Sequence, residues 1–152
     1  MKQLLVPFLV CAASVAAESV LAGGKPNEIL RSLRQPRWAL DPWAWYLVGL
    51  AYYTACFLAL YRAGLRGSVL NGQVFWLLVT TMSLNASWNW LFFRRLDFRA
   101  SFYFFFPYAA VVVWLVITLF KQDRLVAGVF AAYALYIPYA TVWAFRVWRL
   151  NP

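Results

Sequence analysis

Between Trp43 and Tyr61, Gln73 and Phe93, Phe102 and Phe120, and Leu125 and Phe145 the chain carries no charged residue, and between Gln3 and Ala22 it carries one, Glu18. Each run comes close to the ~20 residues that a helix, rising about 1.5 Å per residue, needs to cross a bilayer. Of the 152 residues 64% are hydrophobic and 12% charged, against roughly 25% charged in an ordinary soluble domain. In hydrocarbon each backbone amide must be satisfied within its own segment, which makes helices of runs this long. The expectation is an all-α membrane protein, a five-transmembrane-helix bundle forming one domain over 1–152, with spans at 3–22, 43–61, 73–93, 102–120 and 125–145.

The first run is the weakest. Pro7 and Glu18 interrupt it, and Lys2, the apolar run and the small residues Ser14 to Ala17 also describe a signal peptide cleaved near Ala17. Retention of the helix is favoured. The segment 23–42 is polar and must leave the bilayer core, and loops of this length are often functional. The basic residues separate into two sets along the chain. Lys2, Arg62, Arg66, Lys121 and Arg124 fall on one side of an alternating five-span topology. Lys25, Arg31, Arg34, Arg37, Arg94, Arg95, Arg99, Arg146 and Arg149 fall on the other. The richer side belongs in the cytoplasm, so the N-terminus is expected outside and the C-terminus inside.

A net charge of +9 suggests nucleic acid in a soluble chain, but here the basic groups flank apolar runs and lipid headgroups are their natural counter-charge. No nucleic-acid partner is expected. The chain has no His, which removes the commonest metal ligand and general base. No nucleophile–base pair or phosphate loop is visible, so neither an enzyme nor a metal or other cofactor is expected. Cys11 and Cys56 lie in separate apolar runs, where a thiol behaves as a small hydrophobe.

Aromatic residues make up 20% of the chain, with nine Trp, more than interfacial belts need. Asn85 and Asn89 stand four residues apart within the third run, with Trp88 and Phe92 beside them at helical spacing. An amide facing lipid would be unpaired, so both Asn side chains should point inward, as glue between helices, as ligand contacts, or as both. Trp38, Trp43 and Trp45 follow a proline-stiffened loop, and 35–45 is read as an aromatic lid over a cavity; an interfacial belt is the competing account of Trp43, Trp45 and Tyr46. Tyr133, Tyr136, Tyr139 and Trp143 form a stripe on the last helix, a packing surface in the plainer reading.

These residues resemble the TspO/MBR family, the tryptophan-rich sensory or translocator proteins. Leu84 and Asn85 followed by Trp88, Phe92 and Phe93 are similar to its third-helix signature. Leu33, Pro36 and Trp38 resemble its Leu-x-Lys-Pro-x-Trp loop motif, with Gln35 in place of Lys. Trp43, Val48 and Tyr53 correspond to the start of its second helix, Trp148, Arg149 and Asn151 to its closing motif, and Tyr133 to the Tyr of a Pro-Tyr pair. Leu40 and Asp41 stand in place of paired prolines, Gly49 in place of the second-helix Trp, Ala132 of a Pro, Ala144 of an Asn and Tyr136 of a Trp. The resemblance implies five spans and a flat hydrophobic ligand, porphyrin or sterol-like, held by Trp38, Trp43, Trp45, Tyr53, Asn85, Trp88, Asn89, Phe92, Tyr133 and Tyr136, with Arg34 and Arg37 at the mouth. It also implies a regulatory or transport-related role, lipid contact and a possible homodimer, and it carries the fold further than the ligand. The alternative is a small membrane transporter or assembly subunit with no tetrapyrrole site.

Overall fold

The computed structural model describes residues 2–65 and 72–152; Arg66, counted above with the second loop, lies outside them. Six α-helices and one π-helical segment follow in order: α1 (Lys2–Ala22), α2 (Pro26–Ser32), α3 (Pro42–Leu65), α4 (Gln73–Asn89) continuing into the π segment Trp90–Arg94, α5 (Phe98–Gln122) and α6 (Arg124–Leu150). No strand occurs among the described residues.

Local chemistry accounts for the boundaries. Gly23 and Gly24 take φ of 78° and 81° after α1, a left-handed turn that only glycine adopts without penalty. Pro26 and Pro42 open α2 and α3, where a missing N–H costs nothing. Asp97 caps α5 by accepting from the Ala100 N–H at 2.8 Å. Asp123 caps α6 by accepting from Leu125 and Val126 at 3.2 and 3.3 Å. Its other carboxylate oxygen pairs with the Arg62 side chain at the end of α3.

Four helices, α1, α3, α5 and α6, are long and apolar enough to cross a membrane. The expected third span is a seventeen-residue α4 that falls short on its own and is lengthened by the five-residue π segment. The loop 23–42 holds a helix, α2, that the sequence reading did not include. The basic tail 146–152 is mostly helix, because α6 runs on to Leu150.

The bundle has two apolar cores stacked along its length. One gathers Cys56 and Leu60 of α3, Leu78 and Met82 of α4, Leu115 of α5 and Phe130 of α6. The other, beside the first loop, gathers Phe92, Val112 of α5, and Ile137, Trp143 and Val147 of α6, with Leu30 of α2 at its edge. Buried hydroxyls return to their own helices: Thr81 donates to the Leu77 carbonyl at 2.7 Å and Ser101 to that of Asp97 at 2.7 Å, so neither is left unpaired. Leu5, Phe8 and Leu9 of α1, Trp76, Trp114 and Leu135 are exposed on the outside, an apolar surface suited to lipid.

The first loop and the C-terminus meet. The Asn151 carboxamide accepts from the Arg34 N–H at 3.0 Å and donates to the Arg34 carbonyl at 2.9 Å. Tyr139 accepts from the Leu40 N–H at 3.0 Å, and Trp143 donates to Gln35 at 3.2 Å. The loop is strapped to the second half of α6 and to the residue that caps it.

Candidate functional site: an aromatic cavity at the loop end of the bundle

A cavity of about 510 Å³ opens between the helices, within the size range of sites for drug-sized molecules. Its position follows from helix direction. The end of α1 contributes Glu18 and Ala22, the start of α3 Trp45, Gly49, Tyr52 and Tyr53, and the end of α4 Asn85, Trp88 and Asn89. The first half of α5 adds Phe105 and Tyr108, and the middle of α6 and the turns after it add Tyr133, Tyr136 and Trp143. All of these lie at the end where the first loop crosses, and α2 lends Pro26, Asn27 and Leu30 to the wall.

The rings form a continuous surface. Trp45 lies 4.6 Å from Trp143 and 6.2 Å from Tyr136, edge-on to the latter. Tyr133 lies 4.9 Å from Tyr52 and 6.1 Å from Tyr136, and its hydroxyl meets that of Tyr108 at 2.7 Å. The Trp88 indole N–H donates to the Ser101 carbonyl at 3.1 Å, which fixes that ring to α5. The Trp45 indole nitrogen is buried without a hydrogen-bond partner among the described residues.

Polar groups are few and concentrated. Glu18 accepts from the Tyr53 hydroxyl at 2.7 Å and, on the same oxygen, from the Asn85 amide. Asn89 donates to the Asn85 carbonyl at 3.0 Å. The two carboxamides share a face, as four-residue spacing dictates, and that face looks onto the cavity.

Seven of the ten residues singled out from the sequence are brought together here: Trp45, Tyr53, Asn85, Trp88, Asn89, Tyr133 and Tyr136. Three stand elsewhere. Trp38 is 45% exposed, edge-on to Tyr139 at 5.5 Å and outside the wall. Trp43 is 64% exposed; two residues from Trp45, it points to the opposite side of α3. Phe92 is fully buried behind Trp88, stacked on it at 4.9 Å and 17°. The π-helical segment widens the turn and shifts the register, so Phe93 rather than Phe92 reaches the cavity. Likewise α2, with Pro42 and Trp45, supplies the loop side of the wall, where 35–45 had been expected to close. Arg34 and Arg37 are absent from the wall.

Glu18 and Trp143 were missed. Glu18 was read as a flaw in a membrane helix, although an ionisable group within a span is itself a signal for a functional site. Trp143 was assigned to packing, and it packs and lines the cavity at once.

Apolar spans gathered around an aromatic cavity define an integral, multi-pass membrane protein with that cavity at one end of the bundle. The TspO/MBR family model matches residues 5–149, nearly the whole chain, and the protein belongs to that family. No individual curated protein matches it.

Proposed function

We propose that this protein binds a flat hydrophobic molecule, of tetrapyrrole or sterol-like shape, in the aromatic cavity, and that its role is regulatory or transport-related with no catalytic step. The observation that carries the reading is the cavity itself: about 510 Å³ walled by Trp45, Trp88, Tyr133, Tyr136 and Trp143, with one carboxylate, Glu18, and the carboxamides of Asn27, Asn85 and Asn89 among the polar groups that line it. Large rigid rings bury ligand area at little entropic cost, and a few fixed polar groups orient it. Titration of the detergent-purified protein with protoporphyrin and with a planar sterol analogue, followed by intrinsic Trp fluorescence, tests it. Saturable quenching by at least one of them is expected, and linear, unsaturable quenching by both contradicts it.

In the same reading α4 and its π-helical continuation form a fifth span beside α1, α3, α5 and α6, and α1 is retained. Two features support retention: α1 supplies Glu18 to the cavity, and it packs Cys11 into the far core. Five spans place the termini on opposite faces, with the N-terminus outside and the C-terminus in the cytoplasm. The contact between Arg34 and Asn151 fits, since it sets the first loop on the C-terminal side. Reporter fusions after Pro152 and within 64–72 should report opposite compartments; a cytoplasmic signal from both rejects this topology. A homodimer is part of the proposal and would appear as a two-chain mass in detergent.

A further inference from the structure

The charge inside the cavity points to a narrower class of ligand. Among the described residues of the wall, Glu18 is the only Asp, Glu, Lys or Arg. Tyr53 and Asn85 both direct their donors at one of its oxygens, and the second oxygen makes no hydrogen bond to any described residue. A carboxylate held among apolar and aromatic groups at the end of a membrane helix is costly without an opposite charge. No basic side chain of the wall supplies one, although the chain as a whole is strongly cationic. The surrounding rings add to this. The faces of Trp and Tyr carry negative charge density and attract cations, more strongly as water is removed, and Trp45, Trp88, Tyr52 and Tyr133 all line the space that Glu18 faces.

We propose that the cavity selects a planar apolar ligand bearing a protonated amine, whose ammonium pairs with the free oxygen of Glu18 while its flat body lies against the aromatic wall. This rests on the cavity reading above and deepens it. It also separates ligands of one shape by charge: an ammonium is favoured, a neutral polar group is accepted, and a carboxylate meets Glu18 as a like charge with no Arg or Lys in the wall to receive it.

Three probes of one shape test the assignment: anthracene substituted on its central ring with an aminomethyl, a hydroxymethyl or a carboxylate group. Binding to the protein in uncharged detergent is read by energy transfer from Trp to anthracene. The amine should bind about tenfold or more tighter than the alcohol, and the carboxylate more weakly than both. Glu18→Gln keeps an acceptor for Tyr53 and Asn85 but removes the charge. It should bring the amine within about twofold of the alcohol in the same variant, so that the amine-to-alcohol ratio, rather than either affinity alone, carries the result. Equal affinity of the wild-type protein for amine and alcohol overturns the proposal while leaving the cavity reading intact, and it does so without any variant. A preference for the amine that persists in Glu18→Gln overturns it as well. If none of the three saturates, the proposal falls, and the cavity reading stands or falls on its own titration.

Discussion

Replacing Trp143 by Ala is expected to destabilise the protein by about 2–4 kcal/mol, the largest single loss for any residue of the cavity wall. The ring is 1% exposed. It lies 4.6 Å from Trp45 and 5.2 Å from Phe92, and its N–H holds Gln35 at 3.2 Å. Truncation therefore empties the space where α3, α4 and α6 meet and releases the first loop in the same step. Lipid is as apolar as the core, so the cost comes from lost dispersion contacts more than from transfer to water. For that reason the expected loss reaches from the lower part of the usual Trp→Ala range to somewhat below it. Thermal or denaturant unfolding in detergent measures it. Trp143→Phe should recover most of the packing and lose only the Gln35 contact, about 1 kcal/mol. A loss below about 1 kcal/mol for Trp143→Ala contradicts the packing described here.

The second large effect is on binding and separates two tryptophans that look alike in the sequence. Trp88→Ala removes a wall ring whose neighbours are Phe92, Phe105 and Trp143, and should weaken a flat ligand by about 1–2 kcal/mol, a factor of roughly 5 to 30, chiefly through faster dissociation. Trp38→Ala should change affinity by less than about twofold, because that ring rests on Tyr139 outside the cavity. The family resemblance placed Trp38 beside Trp88 among the ligand contacts. Competition binding with any probe that saturates the wild-type protein reads both variants. An equal loss for the two would mean that the first loop folds over the ligand, and an unchanged affinity for Trp88→Ala would reduce the rings to packing.

The bundle was legible because hydrocarbon imposes a simple rule: long uncharged runs become helices, and Arg and Lys mark where they leave the membrane. Asn85 and Asn89 were legible for a similar reason, since two carboxamides in an apolar run must turn toward protein. Phe92 was not. Helical spacing carried it onto the face of Asn85 and Trp88, and only the π-helical segment, which no propensity announces, exchanges it for Phe93. Trp43 and Trp45 could be told apart only once the start of α3 at Pro42 set their phase. Glu18 looked like a defect because its partners, Tyr53 and Asn85, come from distant parts of the chain.

Gly49 provides the most direct test of the central claim, that the cavity is where ligand binds. It stands where the family resemblance places a Trp, it lines the cavity, and a Cβ built on it would meet no atom within 4 Å. A Trp side chain introduced there has open space to enter and would fill part of the site from within. Saturable binding of a flat probe should therefore fall at least about tenfold in Gly49→Trp while the melting temperature stays at or above that of wild type. Undiminished affinity in a stably folded Gly49→Trp would place the ligand elsewhere and contradict the account.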